Sequence, residues 1–163
     1  MNLFTGEQSH TLFGSDASPA VRSLLKQAAA VQKDVARAEA LLWTAQALDP
    51  DCLATCFALY KFYFYKGRLA DAEKAARLAL RTAARRGGFE ADWILLDERS
   101  ADWRDTLGAA HFYLFSLKAL AFIRLRMGFP TEATAILDKL AEIDPSDRIG
   151  ACVIREVAAG SAR

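Results

Sequence analysis

Residues 67–72 read GRLADA, residues 128–133 read GFPTEA and residues 33–38 read KDVARA; each stretch stands between two segments of helical periodicity. A turn glycine leading into a run that ends in alanine joins two helices, because glycine enters the left-handed conformation that ends a helix. The stretches that begin at 33 and 67 lie 34 residues apart. A period of that length marks a repeated helix–turn–helix unit, which cannot bury its apolar face alone and must stack on its neighbours.

A true repeat must agree away from its turn as well. Set on one frame, the seventh, twentieth and twenty-seventh places of three units hold Leu25, Ala38 and Ala45; Leu59, Ala72 and Ala79; and Leu120, Ala133 and Leu140. Pro50 and Pro145 occupy the thirty-second place of the first and third units, each after an aspartate, and proline there drives the preceding residue out of the helix. The middle unit has Ala84 instead, with Gly87-Gly88 as its stop. On these residues the chain resembles the tetratricopeptide family over 19–52, 53–86 and 114–147. It departs from that pattern at Arg22 and Cys56 for the bulky fourth residue, at Lys26 and Tyr60 for the small eighth, and keeps an aromatic eleventh residue only at Tyr63. The resemblance implies an all-α fold, a right-handed superhelix of three helix pairs. The stretches LYKFYFYKGRLADAE and FYLFSLKALAFIRLRMG, ahead of a final DKLAEIDP, are also similar to small tetratricopeptide proteins encoded among nitrogen-fixation genes.

Gross properties bound the rest. A chain of 163 residues suits one domain that needs neither metal nor disulfide, and 53% hydrophobic residues rich in Ala and Leu suit close-packed helices. A formal net charge of +1 gives no reason to propose nucleic acid. Three cysteines, Cys52, Cys56 and Cys152, read as reduced thiols of a bacterial-type cytoplasm. The opening MNLFTGEQSHTLFGSDAS has no basic start or long apolar run and does not read as a secretory signal. The apolar run 107–123 carries His111 and Lys118, which suits a buried helix better than a membrane span.

Residues 1–17 read as a polar tail and 18–163 as a single domain, with helices expected at 18–31, 34–48, 52–66, 69–86, 104–127, 130–143 and 146–159. The last is the capping helix that a repeat array requires. FALYKFYFY at 57–65 is rich in strand-favouring aromatics, yet Cys56, Leu59, Tyr60 and Tyr63 recur at helical spacing. Between the second and third units the frame slips by 27 residues, which places an insertion at 87–113. It carries Trp93 and Trp103; a long irregular segment with tryptophans is functional rather than disordered.

In the tetratricopeptide family, places 2, 5, 9, 12 and 13 of each unit point into a concave groove. Carried onto this chain, they give Ala54, Phe57, Lys61, Phe64 and Tyr65 in the middle unit, and Phe115, Lys118, Phe122, Leu125 and Arg126 in the third. The first unit gives the blander Ala20, Ser23, Gln27, Ala30 and Val31. The expected partner-binding set is therefore Phe57, Lys61, Phe64, Tyr65, Phe115, Lys118, Phe122 and Arg126. Such an aromatic, mildly basic groove suits a protein or peptide with apolar anchors and an acidic group. Two other occupants stay open: the insertion's own Trp93, Ile94, Leu95 and Leu96, or a second subunit in a homodimer. Asn2 is the sole asparagine, so the family's Lys/Asn/Lys/Arg clamp for chaperone tails is not formed.

Catalysis finds no motif. His10 and His111 sit in no nucleophile, metalloprotease or phosphate-loop pattern, and Cys52 with Cys56 falls short of a four-ligand zinc site. The expectation is a non-enzymatic adaptor or assembly factor without cofactor or metal, binding neither nucleic acid nor membrane.

Overall fold

The computed structural model describes residues 17–161, and over these the chain forms seven α-helices and a short 3-10 turn, with no strand among the described residues. The helices are α1 (Pro19–Ala30), α2 (Val35–Leu48), α3 (Leu53–Tyr65), α4 (Leu69–Gly87), α5 (Ala109–Arg126), α6 (Pro130–Ile143) and α7 (Cys152–Ser161); the 3-10 turn is Trp93–Leu95. Most of the tail reading, residues 1–16, lies outside the described residues; Ala17 is buried. The aromatic stretch 57–65 is helical despite its strand propensity, because burial against neighbouring helices outweighs it.

Backbone hydrogen bonds repeat in the frame read from the sequence. The amides of Ala38, Ala72 and Ala133 donate to the carbonyls of Asp34, Arg68 and Phe129 at 2.9, 2.9 and 3.2 Å, so α2, α4 and α6 begin at equivalent points. Gly67 and Gly128 have φ of 72° and 85°. Past them the amides of Arg68 and Phe129 reach back to the carbonyls of Tyr63 and Arg124 at 3.0 and 2.9 Å, the closure a left-handed glycine permits. The turn at Lys33 has no glycine and closes differently: the Asp34 amide donates to the Val31 carbonyl, and the Asp34 carboxylate accepts from the Arg37 amide.

Helices adjacent in sequence pack together, α3 on α4, α4 on α5 and α5 on α6 most extensively. In addition α1 touches α3, α3 touches α5 and α5 touches α7. Ala38, Ala72 and Ala133 are fully buried, and their small side chains let partner helices approach closely. Residues 110–123 of α5 are buried on every side, which makes it the central helix. A four-charge cluster links α4, α5 and α6. Arg77 donates to Glu73 and Glu132, both at 2.9 Å, and Arg124 donates to Glu73 at 3.1 Å and pairs with Glu132.

Two helix starts differ from expectation. Helix α5 begins at Ala109 rather than at 104, because the acidic residues before it make turns. The amides of Ile94, Arg99, Arg104 and Leu107 each donate to the aspartate two residues earlier, Asp92, Asp97, Asp102 and Asp105, at 2.8–3.1 Å. Such side-chain bonds compete with the helix. Helix α7 begins at Cys152 rather than at 146, since Asp147 and Gly150 take positive φ and the Asp147 carboxylate caps the amides of Ala151 and Cys152.

Candidate functional site

Between α1 and α3 the stack leaves a pocket of about 560 Å³. Its wall includes Ala28, Ala29, Ala54 and Ala58, too short to fill the space between the two helices, and its apolar lining is completed by Leu25, Leu42, Phe57 and Phe62. Arg22 and Lys26 on α1 and Lys61 and Lys66 at the α3 side give it four cations. Lys66 donates to the Gln32 carbonyl at 2.7 Å and lies over the Phe62 ring, so the α3–α4 turn is tied to the end of α1. The Lys61 ammonium stands 5.8 Å from the centre of the Phe57 ring, and partial burial draws its pKa below the ordinary lysine value. Cations with apolar neighbours keep less water than free ones, and they interact more strongly with a carboxylate that displaces it.

A polar network braces the α2–α3 side. The Trp43 indole donates to the Tyr63 hydroxyl at 2.7 Å, Tyr63 donates to Glu39 at 2.6 Å, and Arg68 donates to both Glu39 oxygens. Arg68 first, and Tyr63 with it, hold the Glu39 carboxyl below its usual range. Burial and then the bond to Glu39 push the Tyr63 hydroxyl up to about 12.

The structure divides the expected partner-binding residues. Phe57, Lys61 and Tyr65 line the pocket. Phe64 is buried against Phe122, ring centres 5.2 Å apart. Phe115 and Phe122 are buried as well, and Phe115 meets the His111 ring edge-on. Lys118 is 4% exposed and donates to the Ile149 carbonyl at 2.5 Å, under the segment that leads into α7. Arg126 is exposed at the end of α5 and does not line the α1/α3 pocket. Of the expected groove, Phe115, Lys118 and Phe122 of the third unit are thus packed interior, while Phe57, Lys61 and Tyr65 of the middle unit border the pocket left by the described residues.

The insertion does not occupy the pocket. Trp103 is buried in a cluster with Phe89 and Tyr113, and its indole donates to the Asp97 carbonyl at 2.9 Å. Trp93 rests on the core, and its turn packs on α6. Of the occupants left open by the sequence, Trp93, Ile94, Leu95 and Leu96 do not line this pocket.

Sequence reasoning missed Arg22, Leu25, Lys26 and Gln32, and had named Ala20, Ser23, Gln27 and Ala30 instead. The pocket lies between α1 and α3, so α1 lines it with the face turned to α3 rather than with the places carried over from the family. The alternation of Leu24-Leu25 with Arg22 and Lys26 was the available signal. No group of three or more His, Cys, Asp or Glu side chains placed to hold a metal occurs among the described residues. No helix among them is long and apolar enough to cross a membrane.

Fold and site together define an all-α protein of packed helix pairs with a basic, apolar pocket between its first two pairs. In sequence the chain is 32% identical over 161 residues, 98% of its own length and 89% of the relative's, to the "Uncharacterized 19.8 kDa protein in nifW 5'region" of Azotobacter chroococcum mcd 1, and it belongs to that protein's family. No family model matches the chain and no solved structure matches it.

Proposed function

We propose that the chain is a non-catalytic protein–protein interaction module that takes an acidic and apolar segment of a partner protein into the pocket between α1 and α3. Its architecture on this reading is a tetratricopeptide-like superhelix of three helix pairs capped by α7. The repeated capping bonds support it, as do the contacts of α1 with α3, α3 with α5 and α5 with α7. The relative from the nifW 5' region supports a place as an accessory to nitrogen fixation, in a bacterial cytoplasm.

The observation that carries the binding role is the pocket's composition. An apolar wall with Arg22, Lys26, Lys61 and Lys66 favours two or three apolar anchors flanked by carboxylates. Among the described residues its polar groups are those four cations, the Tyr65 hydroxyl and the Gln32 amide, which suit recognition of carboxylates. A short segment held this way binds in the micromolar range, about −8 kcal/mol.

The test is capture from the native host's lysate with the wild type and with Lys26→Glu/Lys61→Glu, followed by titration of the identified protein against both. The expected result is a partner bound by the wild type and weakened at least tenfold in the variant at unchanged helicity. Equal retention of the same proteins by both would remove the pocket from the function.

A further inference from the structure

The insertion presents a feature that the core does not use. In the turn Trp93–Leu95, Trp93 packs inward while Ile94 and Leu95 are 62% and 67% exposed. Side chains so exposed on a mobile loop would carry little meaning, but this backbone is fastened on both sides. The Tyr113 hydroxyl donates to the Ala91 carbonyl at 2.7 Å, Lys139 donates to the Leu96 carbonyl at 2.7 Å, and the Trp103 indole holds the Asp97 carbonyl. Asp92 caps the turn through the Ile94 amide. A rigid turn that holds two large apolar side chains out in water has already met the ordering cost of binding.

Charge completes the description. Glu90, Asp92, Asp97 and Glu98 flank the two apolar residues in sequence, all exposed, with Arg99 as the one cation between 90 and 99 and Lys139 beside the Leu96 carbonyl. An apolar tip flanked by carboxylates is the complement of an apolar pocket lined also by Arg22, Lys26, Lys61 and Lys66. Within one chain the two do not meet, since the turn is fixed on α6 and the pocket opens between α1 and α3.

We propose that the Ile94–Leu95 tip of one molecule docks into the α1/α3 pocket of a second copy of this chain. This rests on the pocket reading above and names its occupant. The contact joins two different surfaces, so it is heterologous: a docked pair keeps one unused tip on one copy and one unused pocket on the other, and the association propagates head to tail or closes into a ring.

Sedimentation of the full chain at rising concentration tests this with two variants, Ile94→Asp/Leu95→Asp and Lys26→Glu/Lys61→Glu. The wild type is expected to gain mass with concentration, while each variant alone remains a single protomer. An equimolar mixture of the two variants is expected to form dimers and stop there, because each supplies the surface the other lacks. Where a variant loses helicity by circular dichroism, Ile94→Ser/Leu95→Ser or Lys26→Gln/Lys61→Gln replaces it.

A wild type that stays protomeric throughout overturns self-docking. If capture by the Lys26→Glu/Lys61→Glu variant still fails in that case, the pocket keeps its role with another protein as occupant. Association that survives the pocket substitutions overturns docking in this pocket and leaves the partner reading to the capture test, and a mixture that stays protomeric overturns head-to-tail docking.

Discussion

Between α1 and α3, Phe57 and Phe62 border an open pocket with Lys61 beside them. Between α5 and α7, Phe115 is buried with Lys118, whose ammonium is taken up by the Ile149 carbonyl. Phe57 and Lys118 hold the same place in their units, as do Lys61 and Phe122. Their environments differ because of what lies next to them. Residues 144–151 and α7 cover the α5 face, while α1 meets α3 with short alanine side chains and leaves a gap. An aromatic and basic stripe is therefore neither a core nor a site by itself, and the neighbouring helix decides which it becomes.

The strongest way to break this contrast is to uncover the closed end. Removing residues 146–163 takes away Ile149, Ala151 and Ile154, all buried, together with the acceptor of the Lys118 ammonium. Loss of the cooperative thermal transition is expected, with near-ultraviolet circular dichroism as the readout; a truncated chain that melts as sharply as the whole would leave α7 without a capping role.

Next in size is Trp103→Ala, which hollows the cluster with Phe89 and Tyr113 and is expected to cost about 3–5 kcal/mol in a denaturant titration. A cost under about 1 kcal/mol would detach the insertion from the core.

Lys118 gives a smaller, pH-dependent effect. Burial lowers its pKa from 10.5 to about 8, so between these values the unfolded chain binds more protons than the folded one. Wild-type stability is then expected to rise relative to Lys118→Met as pH goes from 8 towards 10.5, and the difference between them to be flat below pH 8. Chemical denaturation of both proteins at several pH values measures it. A flat difference across the whole range would place the ammonium in water.

The smallest effect belongs to the open end. Lys26→Glu/Lys61→Glu is expected to change stability by about 1 kcal/mol, since Lys26 is exposed and Lys61 is only partly buried. A large loss there would mean the open end is packed as tightly as the closed one.

The helix pairs were legible because turn geometry is local. Gly67 and Gly128 announce left-handed closures, and Ala72 and Ala133 mark the crossings that follow. The late start of α5 was legible in principle, for Asp92, Asp97, Asp102 and Asp105 are turn formers. Burial of Lys118 was not legible from its own stripe, because its carbonyl partner comes from the Asp147 and Gly150 turn about 30 residues on. The bracing of Tyr63 by Trp43, Glu39 and Arg68 joins residues from three elements, which no single periodic window contains.

The three thiols differ in access. Cys52 and Cys56 are 2% and 0% exposed, and burial pushes the Cys56 thiol up to about 11, whereas Cys152 stands exposed at the start of α7. A thiol reagent in excess therefore marks Cys152 at once and waits for the other two. Their lag times the moments when α2 and α3 part, so an unaltered chain carries its own stopwatch for the opening of the wall beside the pocket.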